Sequence, residues 1–456
     1  MTIAEKIARY VSETGFDDFD DAVIERTKDL ALSSIGSAVL GAGMEVPAIL
    51  ADYVRAMEGP DQAGVIGFGF ASSVELAAMM NCNSSHCTEL EDVAWPEAQY
   101  TCCLIPAMFT LAQALDSSGR DLIEAIVIGF EVAARPGMIC SNGGAAARGF
   151  LSCANNGTIG VAAGAAKLMK LSESRIRDAV TLATSVGGGL VRQTGSAAHV
   201  VEAGFAGRDG IMAATLAARG LGGNPAIMDG KAGYYDALAG QPDIAFDLGR
   251  GADLRVMAVG QKKYPCCYLV QRIIDGVKEL VAAHGIAAAD VAEVRVEVNR
   301  AFPTILKYPE PRDVEEARFS LPHVVAGALV GEPMDVHTFS AAKLDDPAIL
   351  AQRGKVKMIV HDEWGYDQLG KEDILTIRMA DGTEHRKVCT VAHGDAESPL
   401  GRDATIAKFR ACTDGILPDE IQRSAIEALT GLERAASVAP LMASLTPARA
   451  GRLEAA

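Results

Sequence analysis

VAEVRVEV, residues 291–298, places Val291, Val294, Val296 and Val298 among polar neighbours with the alternation of a half-buried strand. Upstream the texture is different. Thr2 with Glu5 three positions later, then Ile3, Ile7 and Val11 at helical spacing, predicts an N-capped helix at the start of the chain. From Asp21 to about Ala42 a second helix continues with Val23, Leu30, Ile35 and Val39, and Gly41 and Gly43 end it. Ala-rich helical segments near 75–90, 104–116, 121–134, 158–170, 174–188 and 208–219 follow, separated by Gly-rich breaks. Downstream, Lys355–His361 predicts another strand. Ile374–Met379 followed by Asp381-Gly382 predicts a β-hairpin, with helices near 270–284 and 317–330 between the strands. Beyond Pro399 the sequence returns to helix. The expected architecture is a large all-α domain over 1–260, completed by 400–456, and a smaller α+β domain over 261–399.

Composition agrees with this division. A chain of 456 residues exceeds one ordinary core. Apolar residues make up 49% and aromatics only 5%, which favours close helix packing by small side chains. The formal charge of −17, with no Lys/Arg-rich run, excludes a nucleic-acid footprint. An anionic substrate would therefore depend on individual Lys and Arg donors. No run of about 18 uncharged apolar residues exists, so no membrane span is expected. The start MTIAEKIARYV is charged and amphipathic rather than secretory, so the ten cysteines are expected as reduced thiols of a cytoplasmic protein. There is no C-x-x-C spacing, and the eight histidines have no i, i+4 pair, so neither a metal nor another cofactor is expected.

Four segments concentrate polar residues in or beside Gly-rich breaks, where irregular backbone lets groups converge on a ligand. HCTELEDVAWPEAQY crowds His86, Glu89, Glu91 and Asp92. Carboxylates so close raise one another's pKa and can move protons, though they can equally cap a helix. GGGLVRQTGSAAHVVEAGFAGRDG carries Arg192, His199, Glu202 and Arg208, a carboxylate binder beside a proton carrier. His199 reads equally as a structural histidine. QKKYPCCYL offers Lys262 and Tyr264 for holding a carboxylate, and Cys267, which is either a thiolate or a packing residue. EARFSLPHVVAGAL puts His323 at a helix start, where the dipole would keep its ring neutral near pH 7.

Taken in order, these segments resemble the MmgE/PrpD family, whose members include 2-methylcitrate dehydratase, cis-aconitate decarboxylase and iminodisuccinate epimerase. The resemblance is carried by His86–Asp92 followed by LIPA at 104–107, TIGVAAGAAKL at 158–168, GFAGRDGIMAA at 204–214, KKYPCC at 262–267, ARFSLPH at 317–323 and KF at 408–409. It implies a helical domain with an α+β lid, a homodimer and a site at the domain cleft. It also implies cofactor-independent lyase or isomerase chemistry next to a carboxylate on a small organic acid. Several family positions are exchanged: Glu89 stands for aspartate, Gln99 and Ala154 for histidines, His199 for lysine, Cys267 for histidine and His323 for tyrosine. From these exchanges we read His199 and His323 as the acid/base pair, Glu89 as orienting one of them, and Gln99, Lys262, Arg192 and Cys267 as binding substrate. The alternative reading is a catalytically silent binding or scaffold protein on the same fold.

Overall fold

The computed structural model describes residues 1–94, 99–245, 247–365 and 370–447, without the side chains of 140–143. Residues 95–98 of the acidic segment, and 448–456, expected with the helical domain, lie outside the described residues. The chain separates into two compact units, the first made of 1–193, 198–261 and the chain from 401, the second of 194–197 and 262–400.

The first unit carries α1 (Ile3–Glu13), α2 (Asp21–Gly41), α3 (Glu45–Ala56), α4 (Val74–His86), α5 (Tyr100–Leu115), α6 (Gly119–Gly143), α7 (Ser152–Leu168), α8 (Glu173–Ala183), α9 (Ala197–Ala218) and α10 (Tyr234–Ala239). Its strands are two short antiparallel pairs, β1 (Ala63–Gly64) with β2 (Ala71–Ser72) and β3 (Val93–Ala94) with β4 (Val259–Gly260). At α1 the Thr2 hydroxyl accepts from the Glu5 N–H at 3.2 Å, and the Glu5 carboxylate accepts from the Thr2 N–H at 2.8 Å. This reciprocal cap satisfies two otherwise orphaned donors. Helix α5 is buried at every residue from Tyr100 to Ala112, so it runs through the core rather than along the surface. Each fully buried side chain of the size of Leu104 or Ile105 stabilises the unit by roughly 1.5–3 kcal/mol.

Small residues decide how closely α6 and α7 approach. A Cβ at Gly160 would lie 2.5 Å from the Gly129 carbonyl oxygen and 2.6 Å from the Ala133 Cβ, closer than atoms in contact allow. Gly160→Val is expected to destabilise the first unit by about 1–3 kcal/mol through overpacking, read as a lower denaturant midpoint by circular dichroism.

The second unit carries α11 (Gln271–His284), β5 (Val291–Asn299), α12 (Phe302–Ile305), α13 (Val314–Arg318), α14 (Leu321–Leu329), α15 (Ala341–Leu344), α16 (Pro347–Arg353), β6 (Val356–His361), β7 (Asp373–Met379) and β8 (Glu384–Cys389). The sheet order is β6-β5-β7-β8, with β5 parallel to β6 and antiparallel to β7. Val294, Val296 and Val298 are fully buried, as their alternation predicts. Val291 is out of phase with them, and a register irregularity between Val291 and Glu293 lets it stay buried too. Strands β7 and β8 form the expected hairpin, whose turn places Gly382 at φ 91°, a conformation that glycine adopts without strain. Helices α11 and α14 pack against the sheet, and Ile273, Ile274, Val277, Val324 and Val325 on them are buried.

The chain then returns to the first unit as α17 (Arg402–Thr413), α18 (Asp419–Thr430) and α19 (Ala439–Ser444), with α17 and α18 against α2. Among the described residues no single helix is long and apolar enough to cross a membrane.

Candidate active site

Helix α4 ends at His86, and the chain from Asn81 to Ala94 is buried throughout although it contains His86, Glu89, Glu91 and Asp92. Charges leave water only when something compensates them, so each acid needs a partner. Asp92 is held structurally. Its Oδ1 accepts from Ser33 Oγ at 3.0 Å and pairs with Lys408 Nζ at 3.2 Å, while Lys408 also donates to Ser33 Oγ at 2.7 Å and the Leu90 carbonyl at 2.9 Å. The lysine of the KF motif on α17 thereby fastens the acidic loop.

Glu89 and Glu91 turn to histidines instead. Glu89 sits at φ 55°, a left-handed backbone that a non-glycine residue adopts only under constraint from its surroundings. Its Oε1 lies 3.9 Å from His199 Nε2, and Glu91 Oε1 lies 3.9 Å from His86 Nε2. His199 projects from the first turn of α9, and its Nδ1 is 3.6 Å from Glu202 Oε2 one turn further along. The other Glu202 oxygen accepts from the Leu190 N–H at 3.1 Å, which fixes that carboxylate. The His86 and His199 rings meet edge to face with centroids 4.8 Å apart. These separations are charge contacts rather than direct hydrogen bonds.

Close packing of α4 and α9 brings the two rings together. A Cβ at Gly204 would stand 2.7 Å from the Met79 carbonyl oxygen, and one at Gly207 2.6 Å from Cys82 Sγ. Asn83 Nδ2 adds a hydrogen bond to the Val200 carbonyl at 3.0 Å. Burial disfavours a charged His199, but Glu202, Glu89 and Glu91 together outweigh it and raise its pKa above the ordinary value. His86, Glu89 and His199 also offer ligand atoms within 4.8 Å of one another. Bonds to zinc of about 2.0–2.2 Å would have to draw them closer.

The other expected site residues are distributed as follows. Gln99 is the residue before α5, half-buried, and makes no side-chain cap there. Arg192 is exposed on the 3-10 turn Val191–Gln193. Ala154 is buried in the first turn of α7. Lys262, Cys267 and His323 belong to the second unit and are all buried. There the KKYPCC and ARFSLPH segments meet, the Cys267 N–H donating to the Arg318 carbonyl at 3.0 Å. His323 occupies the first turn of α14, its N–H donating to Ser320 Oγ at 3.3 Å. Burial, followed by the nearby Arg353 charge, pushes its pKa down to about 4. The direction is the one the sequence suggests, but burial and the Arg353 charge cause it, where the sequence suggested the helix dipole.

The structure thus joins His199 with Glu89 and adds His86, Glu91 and Glu202 to them. Glu202 was accessible from sequence as the i+3 neighbour of His199 on one helix. The pairing of His86 with His199 was not, since nothing local joins rings 113 positions apart.

Residues 5–247 match the MmgE/PrpD N-terminal domain and residues 264–434 the MmgE/PrpD C-terminal domain. The chain is similar to cis-aconitate decarboxylase of Homo sapiens, 25% identical over 465 residues that cover 95% of this chain and 92% of that protein. The Mus musculus enzyme of the same name is 25% identical over 446 residues, covering 95% and 91% of the two chains. That of Aspergillus terreus is 24% identical over 469 residues, covering 96% and 95%. With both domains matched and these relatives, lyases by name, aligned along nearly its whole length, the chain is an enzyme belonging to the MmgE/PrpD family.

Proposed function

We propose that the chain is a cofactor-independent lyase that moves protons next to a carboxylate on a small organic acid, with His199 as its general acid. The observation that carries this reading is the buried cluster in which His199 lies between Glu89 and Glu202 with His86 against its ring. The imidazolium that the surrounding carboxylates favour can protonate the carbon left electron-rich by loss of a carboxylate, or a departing hydroxyl. The names of the relatives favour decarboxylation of an unsaturated acid. His323, neutral at pH 7, has the protonation state of a base. Lys262 and Arg192 are read as carboxylate holders, Gln99 as a hydrogen-bond donor and Cys267 as a substrate contact. Each is open to single substitution. The resemblance further supports a homodimer.

The test is incubation of the purified protein in deuterated water with cis-aconitate and a panel of α,β-unsaturated and hydroxy acids. Turnover or deuterium incorporation at carbon is expected for at least one. Silence across the panel, with no ligand-induced stabilisation lost in His199→Ala, favours the scaffold reading instead. Dialysis against a chelator is expected to leave turnover unchanged. Loss restored by zinc would replace acid/base catalysis by metal-assisted chemistry at His86, Glu89 and His199.

Glu202→Gln removes a carboxylate that raises the His199 pKa, so that pKa is expected to fall. The shift is measurable by following the His199 ring protons through an NMR pH titration, and the alkaline limb of the rate profile should move to lower pH with it.

A further inference from the structure

Outside the histidine cluster, the first unit buries a second group of reactive side chains. Cys102 and Cys103 lie in the first turn of α5 and Cys153 in the first turn of α7, all fully buried. Cys102 Sγ donates to the Gln99 carbonyl at 3.0 Å, and Cys153 Sγ reaches the same oxygen at 3.3 Å. One carbonyl therefore gathers two sulfurs from helices that are 51 residues apart in sequence, and leaves them 4.0 Å from each other. Cys103 donates to the Tyr100 carbonyl at 3.2 Å and also lies against Cys153, its Sγ 4.0 Å from the Cys153 carbonyl oxygen.

We propose that Cys102 and Cys153 are a peroxide-sensitive thiol pair that closes to a disulfide joining the start of α5 to the start of α7. A disulfide needs sulfurs about 2.05 Å apart, so closure asks for about 2 Å of approach. The sulfurs are not equivalent. Hydrogen bonds from Cys102 and Cys103, helped by the positive side of the His86 and His199 rings, hold Cys153 well below the ordinary thiol range, whereas burial and the Cys153 contact push Cys102 up. Cys153 is therefore the thiol that gives up its proton to attack. It displaces hydroxide from hydrogen peroxide to give a sulfenic acid, and that hydroxide takes up a proton to become water. Cys102 then attacks the sulfenic sulfur, the S–S bond forms, and a second water leaves with the Cys102 proton. Two thiols and one peroxide thus yield one disulfide and two waters. Both Gln99 contacts lose their S–H donors, so the entry to α5 loosens while the two helices become tethered. The pair does not depend on the lyase reading.

The experiment treats the full chain with hydrogen peroxide, blocks residual thiols under denaturing conditions and maps peptides without reduction. The expected result is a Cys102–Cys153 linked peptide, released by dithiothreitol, absent in Cys153→Ser and Cys102→Ser, and retained in Cys103→Ser. A melting temperature that shifts on oxidation and returns on reduction is expected for the wild type and not for Cys153→Ser. Free thiols at both positions after oxidation, pairing of either with another cysteine, or direct conversion of Cys153 to the sulfinic acid would overturn the proposal.

Discussion

His199→Gln is expected to lower kcat/KM by about 10²–10⁴-fold on any acid the wild type turns over, the range that one positioned proton-transfer group contributes. Glutamine keeps a hydrogen-bonding side chain of similar reach but exchanges no proton near pH 7. A fold intact by circular dichroism combined with this loss separates chemistry from collapse. The pH dependence adds an independent reading. The folded-state pKa of His199 is raised, so the imidazolium persists above the ordinary value of 6.5, and a rate that depends on it falls only as pH rises through the raised value. The same shift appears in stability with the same sign. Its contribution is fully present below the unfolded histidine pKa and disappears as pH climbs through the folded one. Melting curves of wild type and His199→Gln between about pH 5 and 9 should therefore converge toward the alkaline end. An unchanged rate in His199→Gln would remove the acid from the proposal.

Lys408→Met is expected to destabilise the first unit by about 3–5 kcal/mol, because it leaves the fully buried Asp92 carboxylate without its cation. Methionine retains the apolar stem, so the loss reports on charge rather than volume. The companion substitution Asp92→Asn in the Lys408→Met background should recover most of it, and the four proteins of that cycle give the coupling directly from denaturant midpoints. Near-additive losses would show that the ammonium acts through Ser33 and the Leu90 carbonyl instead.

Much of the fold was legible because its periodicities are local. The valines of β5, the Asp381-Gly382 turn and the Thr2/Glu5 cap each carry their signal within a few residues, and each forms as expected. Segmentation was coarser. Helix α6 runs to Gly143, well past the expected end near residue 134, and α9 begins at Ala197 rather than near 208. In both places small or polar residues that read as a break are absorbed by neighbouring helices, since core burial overrides local propensity.

The site was legible in residue type and not in partnership. The acidic run looked like one group, yet Asp92 goes to Lys408 while Glu89 and Glu91 face histidines. A choice between a structural and a chemical carboxylate depends on which helix lies opposite, and one segment of sequence does not contain that. His86 stood out within the acidic run, but its relation to His199 was not legible, since that relation exists only through the α4/α9 contact at Gly204 and Gly207.

The pairing of Lys408 with Asp92, separated by 316 positions, also bears on the order in which the protein can be made. A ribosome delivers Asp92 long before Lys408, and everything between 262 and 400 emerges in the interval. The second unit can complete its sheet while the first still waits with an uncompensated acid at the loop that carries Glu89. Synthesis is therefore out of step with architecture. The pairing that fastens the acidic loop can form only after α17 has been made.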